Sequence, residues 1–269
     1  MTPRHDSPAD SSTAASSGLI WERPEPPARR SPGPLSRALI VTAALELADA
    51  DGLEGVSFRR VAAALEVGPM RLYGYVETKA ELLELMVDAA YGEIAPRTAS
   101  GRGSRSTAAG ASRAAGRAGE PGWREELRAI AERTRLTALR HEWFTELLGG
   151  RPHLGPNALA VMEAVLAAVQ RVPGLADDPT GVQRAAGVFH AYLTGTLRVE
   201  VGQRQAERSE GRSDHDWQAA MGPYLVRTLA AGRHPTVARV MAEAEHLAPG
   251  EQFAAGLELV LDGIAAQSP

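Results

Sequence analysis

Ser57–Lys79 reads SFRRVAAALEVGPMRLYGYVETK, and its punctuation decides the fold. Ser57 suits the cap of a helix that starts at Phe58, because its hydroxyl accepts a free first-turn N–H. The apolar spacing places Phe58, Val61, Ala62 and Leu65 on the inward face of that helix. Glu66-Val67-Gly68 then forms a turn, and Pro69 has the fixed φ and missing donor of a first helical position. In the second helix Leu72 and Val76 share the core face, while Arg71 and Tyr75 point away from it. Thr78-Lys79-Ala80-Glu81 is a T-x-x-E capping box that opens a third helix through Leu82, Leu85, Met86 and Ala89. Helix, turn, helix and then a capped helix is the order a groove reader needs.

The whole chain sets limits on that reading. Its 269 residues suffice for two domains, and a 44% hydrophobic content is ample for a packed core. No run of eighteen uncharged apolar residues occurs, and the Ser-, Pro- and charge-rich start lacks the apolar stretch of a signal peptide. The expected location is therefore the cytoplasm, with no membrane partner. The absence of cysteine rules out disulfides, thiolate zinc sites and cysteine nucleophiles. The net charge of −4 runs against a nucleic-acid partner unless charge is unevenly distributed. Residues 36–94 carry five basic side chains (Arg37, Arg59, Arg60, Arg71, Lys79) and ten acidic ones, a balance of −5. The basic residues apart from Arg37 cluster in or near the reading helices, so phosphate contacts should be few and salt-sensitive.

Taken in order, residues 1–34 hold Ser, Pro and Ala clusters without a period and predict a disordered tail. Arg29 and Arg30 within it are either a solvated pair or a basic arm for the minor groove. Residues 35–94 form the helix-turn-helix domain. Its first helix is capped by Ser36, carries Leu39, Ile40, Ala43, Leu47 and Ala48 inward, and ends at Asp51-Gly52. Residues 95–122 have the Ala/Gly/Ser/Arg composition of a flexible linker and a balance of +4. From 123 to 267 helical periods dominate: Trp123, Leu127, Ile130 and Thr134 make one stripe, and Leu159, Met162, Val165, Leu166 and Val169 a second, after Pro156. Val182 to Val201 is apolar on several sides, which predicts burial in a core and in an interface. Gln203 to Asp216 reads as a polar loop, followed by a helix over Trp217–Ala231 and a short one near Pro235. The last helix carries Phe253, Leu257, Val260, Leu261 and Ile264. No strand pattern appears, so the fold class is all-α.

The segment SFRRVAAALEVGPMRLYGYVETKAELLELM resembles the N-terminal domain of the tetracycline-repressor (TetR) family. LLGGRPHLGPNALAVMEAVLAAV and FAAGLELVLDGIAAQ resemble that family's tetracycline-repressor-type regulatory domain. The resemblance implies a homodimer joined through the C-terminal helices, a palindromic double-stranded DNA operator, and release from it by a small-molecule effector, in the usual case as a repressor. It also implies a base-reading face of Arg59, Pro69, Met70, Arg71 and Tyr75, with Tyr73 and Lys79 on phosphates. The chemistry agrees, since arginine pairs bidentately with guanine and lysine acts as a point charge. Lys79 is the only lysine in the chain. The chain departs from the family in carrying Glu66 at a turn position usually held by glycine, Gly74 in place of a larger residue, and Leu147 where a drug-metal histidine stands.

Other constellations are sparse. None of the seven histidines has an H-E-x-x-H arrangement, and Asp214-His215-Asp216 lies in the expected loop, so no metal or other cofactor is expected. No nucleophile stands beside a base, and no enzymatic activity is expected. His141, Trp143, Phe144, Phe189, His190 and Tyr192 are the candidates for an apolar effector pocket; ordinary packing explains each of them equally well. The competing reading is a helical interaction protein with a vestigial DNA-reading head.

Overall fold

The computed structural model describes residues 19–26, 35–96, 122–150, 152–211 and 214–267, and the side chains of 210 and 214–218 are not described. Among the described residues every regular element is a helix. Residues 97–121 of the expected linker, Arg29-Arg30 and the side chains of the Asp214-His215-Asp216 trio lie outside the description.

The head consists of α1 (Arg37–Asp51), α2 (Phe58–Ala64), a 3₁₀ helix (Pro69–Gly74) and α3 (Lys79–Ile94). Each α-helix is capped by its own preceding hydroxyl. Ser36 accepts the Leu39 N–H, Ser57 that of Arg60 and Thr78 that of Glu81, which satisfies donors the helix itself cannot. Ile40, Val61, Leu72, Val76 and Met86 are fully buried and form one core. Leu39, expected inward, is 45% exposed; Val41 and Ala44 take the core face. The second motif helix is 3₁₀ rather than α. It is six residues long, and no side chain caps its start at Gly68.

Part of the expected tail is ordered. Leu19–Pro26 lies against the head, with Ile20 only 3% exposed. Sequence periodicity missed it because one apolar anchor and one arginine hold it, and neither repeats.

The larger domain contains α4 (Trp123–Arg140), α5 (Phe144–Leu147), α6 (Pro156–Gln170), α7 (Pro179–Glu210), α8 (Asp214–Ala230), α9 (Pro235–Glu243) and α10 (Pro249–Ala265). α4, α6, α7 and α10 pack together, and α3 of the head lies on α4, α5 and α6. Leu127, Ile130, Phe189, Leu197, Phe253, Leu257, Leu261 and Ile264 are buried in the core. The stripe of α6 is turned from the expected one: Ala158, Val161 and Val169 go inward, while Leu159 and Met162 are 45% and 40% exposed. The polar segment after Val201 is not a loop, because α7 continues through it to Glu210 and stops at Gly211 in the left-handed region. Its Gln, Arg, Ala and Glu residues are good helix formers, and polarity there marks a solvated helix. Val188, Val199 and Leu259 face outward on α7 and α10. No described residue of α9 is buried, and it touches α8.

Candidate nucleic-acid interface and its link to the regulatory domain

The Leu72 and Val76 anchors turn the rest of the 3₁₀ helix outward. Met70 is 79% exposed, Tyr73 46%, and Pro69 and Arg71 are also exposed. Tyr75 is half-buried against the core. Phe58 stacks flat on Tyr73 with ring centroids 4.7 Å apart, which couples the start of α2 to the outer face of the 3₁₀ helix. Arg59 stands exposed on α2 and Lys79 at the first turn of α3, where its Nζ donates to the Leu53 carbonyl at 3.3 Å. Pro69, Met70, Arg71, Tyr73, Arg59 and Lys79 are thus all solvent-facing on two consecutive elements and the following helix start.

The arginines of the head divide by employment. Among the described residues the guanidiniums of Arg59 and Arg71 make no intramolecular hydrogen bond or ion pair. Arg60 pairs with Asp51, and Arg37 donates to the carbonyls of Tyr75 at 3.0 Å, Arg23 at 2.6 Å and Pro24 at 3.4 Å. Both free guanidiniums belong to solvent-exposed residues, one on each motif helix.

Glu66 has φ 53°, the left-handed conformation that favours glycine. The turn therefore takes the backbone that a glycine would take, with a residue that pays a steric cost of about 1–2 kcal/mol. Around Gly74 there is open space for a side chain.

The six effector candidates fall into two groups. His141 (5% exposed), Trp143 (2%) and Phe144 (0%) lie at the seam between head and larger domain. His141 Nδ1 is 2.8 Å from Asp49 and its Nε2 3.2 Å from Glu93, and the Trp143 indole donates to the same Asp49 oxygen at 2.7 Å. Asp49 belongs to α1 and Glu93 to α3, so these side chains tie both to the turn after α4. Phe144 meets Tyr91 edge-on at 5.3 Å. Burial, with the Asp88 charge adding to it, pushes the Tyr91 hydroxyl up to about 12. Phe189, His190 and Tyr192 lie on α7, where Phe189 is buried, His190 is exposed and the Tyr192 hydroxyl donates to the Phe253 carbonyl of α10 at 2.6 Å. No ring contact joins the two groups among the described residues. A polar cleft of about 290 Å³ at the seam is lined by Asp49, Arg140, Glu142, Trp143, Gln205 and Arg208, among others.

A second tie across the seam was not expected from the sequence. Asp88 of α3, 4% exposed, accepts the N–H groups of Asn157 and Ala158 at 2.9 Å each, and the Asn157 amide at 3.0 Å. A carboxylate of the head thus caps α6 of the larger domain. A Cβ at Gly155 would overlap that carboxylate, so the close approach requires glycine. Burial raises the Asp88 carboxyl above its ordinary range, against the N–H donors that lower it.

A capped helix-turn-helix head with two free arginines outward, joined through buried polar side chains to an α-helical domain, defines a DNA-binding regulator of two-domain, all-α build. The sequence model described as bacterial regulatory proteins, tetR family, matches residues 40–86, and that described as tetracyclin repressor-like, C-terminal domain, matches 115–268. The HTH-type transcriptional repressor DrrR1 of Streptomyces coeruleorubidus is 36% identical over 246 residues, covering 91% of this chain and 83% of its own. Apo ActR from Streptomyces coelicolor shares the fold with a TM-score of 0.67 at 22% identity, over 88% of this chain and 98% of its own. ActR in complex with actinorhodin gives 0.66 at 23% identity, over 87% and 97%. The chain belongs to the TetR family of transcriptional regulators. No described helix is long and apolar enough to cross a membrane.

Proposed function

We propose that this regulator is a cytoplasmic repressor that binds a palindromic double-stranded DNA operator as a homodimer and leaves it when an apolar small molecule binds the larger domain. The observation that carries the reading is the exposure of Arg59 and Arg71, both without intramolecular partners among the described residues, on the two motif helices that the Phe58–Tyr73 stack joins, beside exposed Pro69, Met70 and Tyr73. In this reading Arg59, Pro69, Met70, Arg71 and Tyr75 meet base edges, and Tyr73 and Lys79 meet phosphates. A head of charge −5 with so few cations has little affinity alone, so two heads on two half-sites are required. The outward apolar residues Val188 and Val199 of α7 and Leu259 of α10 support a dimer through those helices.

ActR, a structural relative, is known with actinorhodin bound, which supports an effector site in the larger domain here. In this reading Phe189 supplies an apolar wall and His190 and Tyr192 polar handles on α7, while Phe144 stands with His141 and Trp143 at the seam. His141 and Trp143 are held by the head itself, so an effector that moves the turn carrying them pulls on Asp49 and Glu93. The effector needs only to bind the released arrangement more tightly than the DNA-bound one.

Selection of bound duplexes from a random DNA pool tests the reading, with an enriched palindrome as the expected result. On that duplex Arg59→Ala should cost roughly 1–3 kcal/mol of specific binding, while Lys79→Ala weakens binding to all sequences alike. Equal loss for Arg59→Ala on the palindrome and on random DNA removes its base contact. No enriched sequence and no shifted band at low salt returns the reading to a helical interaction protein.

A further inference from the structure

The ordered stretch Leu19–Pro26, LIWERPEP, is built into the head at the point where its reading element ends. Ile20 is buried, and Arg23 reaches between two carboxylates, pairing with Glu77 through Nη1 and with Glu81 through Nη2 at 2.6 Å. Glu81, whose own N–H is capped by Thr78, also accepts the N–H of Glu77 at 2.8 Å, so Arg23 joins the polar contacts at the start of α3. From the other side Arg37 donates to two carbonyls of the stretch and to the carbonyl of Tyr75, the residue that ends the 3₁₀ helix. The backbone N–H of Arg37 in turn donates to Glu25. Both links converge on one short segment, Tyr75–Glu81, which connects the 3₁₀ helix to Lys79.

This segment has an electrostatic difficulty of its own. Glu77 and Glu81 flank Lys79 at two residues' distance on either side, and two carboxylates beside a phosphate-facing lysine repel the same phosphate. Arg23, with its side chain only 17% exposed, offsets them where they stand. Burial opposes ionisation of Glu81, but the Glu77 N–H and the Arg23 guanidinium outweigh it and hold the carboxyl below its usual range.

We infer that Leu19–Pro26 is a strap belonging to the reading head, and that Arg23 is a positioning residue that fixes the Tyr75–Glu81 turn, and with it Tyr75 and Lys79, for DNA. The inference rests on the DNA-reading function proposed above. The reading head then begins eighteen residues before its first helix, at Leu19 against Arg37, and the strap's role is orientation and charge compensation, without a base contact of its own.

The test uses the full chain, the duplex enriched from the random pool and a random-sequence duplex of equal length. Arg23→Ala is expected to bind the enriched duplex about tenfold more weakly, the loss of one charge-assisted network, with helical content and dimer mass unchanged. Peptides covering 72–81 should exchange backbone hydrogens faster in the free variant, while those of α10 should not. Arg23→Lys, which keeps the charge and loses the fork, should recover part of the affinity. Should the alanine variant fail to fold, Arg23→Gln asks the same question with the side-chain bulk retained. Binding within about twofold of the unmodified chain, the range of an inert surface change, overturns the strap inference alone. If the unmodified chain enriches no duplex, the DNA-reading function falls and the strap inference falls with it.

Discussion

The head and the larger domain of this regulator are built from the same kind of helix, but α6 of the larger domain starts in a way no helix of the head does. In the head, Ser36, Ser57 and Thr78 each cap the helix that follows within three residues. In the larger domain α6 begins at Gly155-Pro156 with no cap from its own side chains, and takes one from Asp88, 69 residues earlier in the chain. One ion pair from each region shows a related contrast, the strap's Arg23 aside. The head's Arg60–Asp51 pair is solvent-exposed and joins near neighbours, whereas Arg135 of α4 and Glu200 of α7 form a bidentate pair at 2.9 and 2.6 Å in the interior, beside the Phe253 ring. The helix starts of the head are set by near neighbours, while the start of α6 and the Arg135–Glu200 pair depend on partners far along the chain.

Breaking the two ion pairs should give the widest contrast. Arg135→Ala leaves Glu200 buried and uncompensated and should cost roughly 3–5 kcal/mol in urea unfolding, while Arg135→Met with Glu200→Leu should be near neutral. Arg60→Ala should lie within about 1 kcal/mol of the unmodified chain. A large loss for Arg60→Ala would erase the distinction between the two regions.

The caps come next. Asp88→Ala orphans two backbone N–H groups and removes one of the two partners of the Asn157 amide, which keeps the Asp88 carbonyl at 3.1 Å, and should cost about 2–3 kcal/mol, against about 1 kcal/mol for Ser57→Ala. In the opposite direction, Glu66→Gly should stabilise the head by about 1 kcal/mol, because the left-handed φ at that position no longer carries a Cβ. Equal urea midpoints for Glu66→Gly and the unmodified chain would show that the turn relaxes elsewhere.

The smallest effect is in pH. Asp88 and Glu81 lie on the same helix, α3, with shifts of opposite sign. The folded pKa of Glu81 is depressed, so its stabilising contribution is present above pH 4.5 and is lost as pH falls through the folded value. The folded pKa of Asp88 is raised by burial, so the contribution of its protonation is complete below pH 3.8 and is lost as pH rises through the folded value. Urea midpoints followed from neutral pH downward should therefore decline less steeply in Glu81→Gln and more steeply in Asp88→Asn. The reverse order would contradict both assignments.

The same contrast explains what could be read before the structure. Ser57, Pro69, the T-x-x-E box and the Leu72/Val76 pair all act within one turn of the chain, and the caps and buried positions lie where the local pattern places them. The stripe of α10 was equally legible, because four of its five apolar positions are buried against one surface. On α6 the pattern misled, since alanines at 158 and 168 pack closely and displace the larger Leu159 and Met162 outward. Helical spacing turns Arg71 outward, and the family resemblance implies Arg59. That they lack intramolecular partners while Arg37 and Arg60 are occupied depends on where Tyr75, Asp51 and the strap carbonyls fall in space. His141 and Trp143 were chosen as pocket residues for their chemistry, yet their partners are Asp49 and Glu93, more than forty residues away in sequence. No periodicity encodes such a pairing.

One of those contacts has a spectroscopic consequence. The Trp143 ring is buried in the larger domain, while its only indole donor is held by Asp49 of the head. With Trp21, Trp123 and Trp217 replaced by phenylalanine, the emission of this single indole becomes an unlabelled gauge of the seam. It is blue while the ring stays dry and moves to longer wavelength if the head swings away and water reaches the nitrogen. Trp143 in that variant reports any separation of the head from the larger domain.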